Sequence, residues 1–363
     1  MWGDVRIHQA PADTDTFAVS ASNTDMARKA ALSKNEMAYG MQPKYLRYNL
    51  WDREGKDDAS VPFIPLNLTD WTKVVKPLPT VPLYELNNTE AMKMIKDNPN
   101  LFKIITPINV NKFEELLASH PNCPFIESVC RGLHEGLWLW ADIQYKMYPC
   151  IIDELLGMPQ KKEEAGLLWL QHDHEHSKGR FSGPFGQDLL PGMYASPIHV
   201  VPKLHSEKLR MVINQSARPF SLNSMISRGD IKGFPLDNMR HLGARLLVHH
   251  RTNPSQCLVV FKSDVAEAYW LLPMHPLWQI KQITMIDREC EVNRNNCFGG
   301  HGSAGIYISF DGLVTWIEKK VKMILELWTY MDDLFGINKE GSLTWYHKYG
   351  WNMPANQVKL LSL

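Results

Sequence analysis

The sequence predicts an α+β fold, and three observations carry that expectation. Two apolar, β-prone runs flank an acidic pair in Glu326-Leu-Trp-Thr-Tyr-Met-Asp-Asp-Leu-Phe-Gly-Ile337, the pattern of a hairpin with its charges at the tip. A second apolar run, Leu258-Val-Val-Phe-Lys-Ser-Asp264, ends on a lone carboxylate. Elsewhere apolar residues recur at helical spacing: Phe125, Val129 and Leu133 in one segment, and Ile306, Phe310, Leu313, Ile317 and Val321 in another.

Bulk properties narrow the class. The chain has 363 residues, 44% of them hydrophobic, enough for more than one core. It carries no 18-residue apolar run, so no membrane partner is expected. The opening Met1-Trp-Gly-Asp-Val-Arg-Ile-His has no signal-peptide profile, and the expected location is intracellular. Six cysteines, at 123, 130, 150, 257, 290 and 297, form no Cys-x-x-Cys pair and read as reduced thiols. Formal net charge is zero, but it is unevenly spread. Residues 1–180 hold 20 Lys+Arg against 24 Asp+Glu; residues 181–363 hold 19 against 15. The C-terminal half is the side suited to a polyanion, with modest, salt-sensitive attraction.

In chain order, residues 1–105 are expected to be poorly defined and partly disordered. Pro62-Phe-Ile-Pro65 and Pro77-Leu-Pro-Thr-Val-Pro82 read as extended linkers. Residues 106–185 are expected to be helical. Asn111, with Glu114 three residues on, is read as a cap, and the Phe125 helix should end near Gly136. Leu137-Trp-Leu-Trp140 reads as a buried edge. His172 and His176 lie one helical turn apart, which fits either a metal pair or a solvated helix end. Ser196-Pro-Ile-His-Val-Val-Pro-Lys203 and Leu209-Arg-Met-Val-Ile-Asn214 form two β runs of a hairpin, with Lys203 and Arg210 near its turn. Leu271 to Gln282 is expected to be a turn and strand. Glycines at 299, 300, 302 and 305 lead into the last long helix.

The carboxylates give the chemistry. If the strand ending on Asp264 neighbours the hairpin, Asp264, Asp332 and Asp333 can meet as an all-oxygen set suited to two Mg²⁺ ions, with Mn²⁺ able to substitute. Phe-Lys-Ser-Asp264 and Tyr-Met331-Asp332-Asp333 resemble the first catalytic block and the metal-binding block of reverse transcriptases. Leu271-Leu-Pro-Met-His-Pro-Leu-Trp-Gln-Ile-Lys-Gln282 and Asn295-Asn-Cys-Phe-Gly-Gly-His-Gly-Ser303 resemble those of tyrosine-recombinase (DIRS-like and Ngaro-like) retroelements. The resemblance spans roughly residues 107–363.

That resemblance implies a right-hand polymerase, with fingers and an antiparallel palm sheet over residues 186–363. It also implies a helical N-terminal extension and an absent thumb, the chain stopping within the palm. It implies transfer of a nucleotidyl group from a dNTP to a primer on an RNA or DNA template. Lys203 and Arg210 would hold the triphosphate, Tyr269 would exclude the 2′-hydroxyl, and Phe298, Gly299 and Met331 would adjoin the nucleotide. The sequence departs from the family at Asn214 (often Asp), Ser216 (often Arg), Phe298 (Gln in some relatives) and Ala304 (often Pro). The alternative is a catalytically inactive palm fragment that acts as a nucleic-acid-binding module. A chain cut at Leu363 would leave Val358, Leu360 and Leu361 exposed.

Overall fold

The computed structural model describes residues 18–19, 67–143, 148–149, 151–153, 161–202, 209–217 and 219–361. The elements, in order, begin with strand β1 (Ala18–Val19) and helices α1 (Leu68–Thr72), α2 (Leu83–Leu86), α3 (Thr89–Asp97), α4 (Val110–Leu117) and α5 (Cys123–Glu135). Then come β2 (Ile152–Asp153), α6 (Lys162–Ser177), β3 (Tyr194–Ala195), β4 (Ile198–Pro202), β5 (Leu209–Ile213), α7 (Met239–Thr252), β6 (Leu258–Asp264) and α8 (Pro276–Gln279). The chain continues with β7 (Ile283–Ile286), β8 (Glu289–Val292), α9 (Ser303–Lys320), β9 (Leu327–Tyr330), β10 (Asp333–Lys339), β11 (Leu343–Tyr346), β12 (Trp351–Pro354) and α10 (Ala355–Leu361). The architecture is mixed α+β with small sheets. Among the described residues no helix is long and apolar enough to cross a membrane.

Two compact units interleave along the chain. One gathers Trp71–Phe234 and Val265–Ile317; the other gathers Pro235–Asp264 and Glu318–Leu363 with the stretch that ends at Asp70. This grouping differs from the serial segments read from sequence, because strand pairing joins stretches that are distant along the chain.

In the first unit, a four-stranded sheet runs β2-β3-β7-β8, with β2, β3 and β7 parallel and β8 antiparallel. The β7–β8 turn places both Asp287 (φ +50) and Arg288 (φ +67) in the left-handed region that tight hairpins need. β4 and β5 form the expected hairpin, in the register Ile198↔Ile213 to Pro202↔Leu209. Ile198 and Ile213 pack with Leu168 of α6, Phe181 and Trp270. Gln171 of α6 fixes the hairpin edge by accepting the Met211 N–H at 2.7 Å.

Several local expectations shift. The α4 cap is Asn109, not Asn111: its side chain accepts the Lys112 N–H at 3.0 Å. The following helix, α5, does end at Gly136, at φ +94, and Leu137, Trp138 and Leu139 are buried. Leu271–Gln282 is a 3₁₀ turn and the short helix α8 rather than a strand; Gln279 and Gln282 are buried there and bond backbone carbonyls. Val321 is exposed, one residue past the end of α9.

Pro62–Pro65 lies outside the described residues, but 67–105 is not loose. It carries α1 to α3, and the Leu78 N–H donates to Ser128 Oγ at 2.9 Å. The stretch 100–105 is pinned by buried polar side chains. Arg294 donates to the carbonyls of Asn100, Leu101, Gly179 and Phe181, and Asn295 donates to that of Ile105. A backbone stripped of water needs such partners. Buried Lys281 pairs with buried Glu85 of α2 at 3.1 Å.

His172 belongs to this polar core rather than to a metal site or a solvated helix end. Its Nε2 lies 2.9 Å from Glu291 of β8, and both side chains are buried. The Glu291 carboxylate raises the His172 pKa above the ordinary imidazole value, against the opposing effect of burial. A raised folded pKa contributes stability that is fully present below about pH 6.5, the ordinary value, and is lost as pH rises through the folded value. Replacing Glu291 with Gln should therefore cost about 2–3 kcal/mol at pH 6. The gap to wild type should narrow at pH 9, as read by urea unfolding at the two pH values.

Candidate functional site

The second unit holds the carboxylates. Its main sheet runs β1-β6-β10-β9, antiparallel throughout. β6 and β10 pair over seven residues, from Asp333↔Asp264 at one end to Lys339↔Leu258 at the other. Alternation along the strands then sets the faces. Leu258, Val260, Lys262 and Asp264 share a face with Asp333, Phe335 and Ile337, and Trp328 of β9 joins them opposite Phe335. α7, capped by Asn238 and His241, covers this face with Leu242 and Leu246. The other face receives α10: Gln357 donates to the Lys262 carbonyl at 2.9 Å, and Asn338 Oδ1 accepts the Asn356 N–H. Leu360 of α10 is buried and Val358 and Leu361 are half-buried, which corrects the expectation that all three face water.

Asp264 and Asp333 are thus direct cross-strand partners at the open end of a packed sheet. Asp332 sits in the two-residue turn between Tyr330 and Asp333, and all three acids are half-exposed. Met331 supplies the reversal at φ +57, a conformation that costs a non-glycine residue about 1 kcal/mol or more. Gly336 lets the strands close. A Cβ there would lie 2.4 Å from the Phe261 ring and 2.5 Å from the Glu326 carbonyl oxygen.

Among the buried acids that the sequence reading did not single out, Asp237 bears on the acidic turn. Asp237 is fully buried; its Oδ2 accepts the Thr329 N–H of β9 at 3.2 Å and its Oδ1 accepts the Leu68 N–H at 3.1 Å. It ties the strand entering the acidic turn to α1. In sequence its only signal is an Asp-Asn step before a helix.

The donor set is all carboxylate oxygen, which suits a hard divalent cation. Asp333 already accommodates a positive charge: Lys262 Nζ lies 2.9 Å from its Oδ1, and the lysine is 66% exposed and can withdraw. The three aspartates do not each bring an oxygen within 4.8 Å of the others. Among the described residues only His174, Glu175 and Glu267, in the first unit, do so.

That second cluster is saturated by cations. Arg180 bridges Glu175 and Glu267 at 2.7 and 2.8 Å, while His174 and Lys178 both meet Glu267. Burial alone would raise the Glu267 carboxyl, but hydrogen bonds from His174, Lys178 and Arg180 outweigh it and hold it at about 2. No charge remains there for a metal to neutralise.

The other sequence-derived residues fall as follows. Lys203 lies outside the described residues. Arg210 is exposed on β5, opposite Val201. Tyr269 is buried and stacks on Phe298 with centroids 4.6 Å apart; Phe298 is 44% exposed. Gly299 is needed by the chain itself, since at φ +111 a Cβ would lie 2.4 Å from the Ile213 carbonyl oxygen. Arg210, Tyr269, Phe298 and Gly299 belong to the first unit, and Met331 with the three aspartates to the second.

No protein-family model matches the sequence, and no curated protein matches it. Among solved structures, a foamy viral protease–reverse transcriptase in complex with double-stranded DNA is similar at a TM-score of 0.36 and 14% identity. The match covers 72% of this chain and 42% of that one, so the chain spans under half the length of that relative. The fold itself defines a mixed α+β protein with small, mostly antiparallel sheets.

Asp237 gives a direct test of how the acidic turn is held. Asp237→Asn would set an amide N–H₂ against one of two backbone donors, at a cost of about 1–3 kcal/mol. Unfolding free energy should fall by that amount, and hydrogen exchange at the Thr329 amide should quicken more than at Val260.

Proposed function

We propose that this chain carries the nucleotidyl-transfer site of an RNA-directed DNA polymerase of the palm type. The observation that supports this reading is the cross-strand pairing of Asp264 with Asp333 beside the turn that holds Asp332. Asp264, Asp332 and Asp333 would hold two Mg²⁺ ions. Bound there, the ions would activate a primer 3′-hydroxyl and neutralise the departing pyrophosphate. The chain's own contribution is positional: the hairpin and α7 fix the acids, and Lys262 neutralises Asp333 when no metal competes. Under the same reading, Lys203 and Arg210 serve the triphosphate, Phe298, Gly299 and Met331 adjoin the nucleotide, and Tyr269 rejects ribose by bulk. Template, primer and dNTPs are the partners this activity requires, in an intracellular setting.

A second reading has its own support. The Lys262–Asp333 pair occupies one of the acids, which suits an inactive palm that only binds nucleic acid.

Metal titration separates the two readings. Under the polymerase reading, Mn²⁺ binds by calorimetry, Asp332→Ala abolishes binding, and Lys262→Ala tightens it several-fold. Primer extension with dNTPs and Mg²⁺ on an RNA template is then lost in Asp332→Ala. If Mn²⁺ affinity is the same in wild type and Asp332→Ala, the inactive reading stands.

Tyr269→Ala addresses selectivity. In an extension-competent form of the protein it should admit ribonucleotides at least tenfold better while largely sparing dNTP use. An unchanged dNTP-to-rNTP ratio would remove the steric role of Tyr269.

A further inference from the structure

The first unit contains an aromatic cavity that the carboxylate chemistry does not use. Trp71, Trp140 and Phe234 arrive from three separate stretches of the chain. The Phe234 ring stands edge-on to both indoles, 5.6 Å from Trp71 and 5.7 Å from Trp140. Gly305 of α9 makes room for this arrangement: a Cβ there would lie 2.8 Å from Phe234 and 3.4 Å from Trp140. Trp140 is held at φ +54, a costly conformation for a bulky residue. The rings line a cavity of about 380 Å³, within the size range of small-molecule sites.

Its charges narrow the ligand. Lys76, Lys232 and Asp230 line the cavity, and all three are exposed, so the rim is net positive. An aromatic cage for a quaternary ammonium would need the opposite sign. At the buried end, Ser309 Oγ donates to the Gly305 carbonyl at 2.8 Å, which leaves its oxygen as an acceptor for an amine. A planar ring with an exocyclic amine and an anionic tail satisfies all of these features.

We propose that this cavity binds one nucleotide unit, with its base among Trp71, Trp140 and Phe234 and its phosphate at Lys76 and Lys232. Stacking on aromatic rings with lysines on the phosphate is a general means of holding an unpaired base. The unit has two sources, a free mononucleotide or one residue of a single strand. The proposal does not rest on the carboxylate reading, because every lining residue belongs to the first unit.

The test uses the full chain in EDTA, which removes metal-dependent binding at the aspartates. AMP, adenosine and single-stranded hexaadenylate are titrated by calorimetry, and the ¹⁵N-labelled indole resonances are followed. AMP should saturate and shift the Trp71 and Trp140 signals, and adenosine should bind at least fivefold more weakly. Truncating Phe234 risks the fold, so the deciding variant is on the exposed rim: Lys76→Glu with Lys232→Glu should weaken AMP at least tenfold with circular dichroism unchanged. A hexamer that binds more tightly than AMP supports the site with a strand as the source; equal affinity supports it with a free nucleotide. Two results would overturn the proposal: no saturable binding of AMP or hexamer, or undiminished affinity in the rim variant.

Discussion

The seven-residue antiparallel register between β6 and β10 is the constraint on which the acidic site depends. A slip of one residue would send Asp264 to the opposite face from Asp333 and expose Phe335 and Ile337. The apolar half of the pairing prevents that slip. Leu258, Trp328, Phe335 and Ile337 are buried together with Leu242 of α7, and burying each such side chain favours the register by roughly 1.5–3 kcal/mol. The acids gain their relative position from the apolar part of the pairing. Gly336 lets the pairing close, since any Cβ there would meet Phe261 and the Glu326 carbonyl.

Carboxylates in this protein divide by how completely their charge is answered. Asp237 is enclosed and spends both oxygens on backbone amides, so it is structural. Glu267 is surrounded by His174, Lys178 and Arg180, which hold it ionised to low pH. Among the described residues, Asp333 pairs with one mostly exposed lysine, Lys262. Closeness of ligand atoms alone would select the His174–Glu175–Glu267 group as the metal site. Charge balance counts against that choice, because Arg180 and Lys178 already answer its carboxylates, whereas the aspartates at the sheet end are half-exposed. The same accounting moves His172 from candidate ligand to structural partner, since Glu291 satisfies it inside the first unit.

The sequence by itself determined the elements whose pattern is local. The apolar, β-prone runs within 258–264 and 327–337, the four-residue spacing of Phe125, Val129 and Leu133, and the turns at Met331–Asp332 and Gly136 could all be read from side-chain type. It also placed Asp264 at the end of one strand and Asp332 and Asp333 at a hairpin tip, where the structure has them. Only the tertiary structure decided what long-range polar contacts control. The pinning of residues 100–105 by Arg294 and Asn295, almost two hundred positions away in sequence, leaves no periodic trace. Asp237, the Lys262–Asp333 pair and the meeting of Trp71, Trp140 and Phe234 are likewise invisible until the chain closes on itself. Hydrophobic periodicity reports which face of an element is buried. It carries no information on which distant carbonyl, carboxylate or ring will be waiting there, and in this protein those partners decide how each charged residue is used.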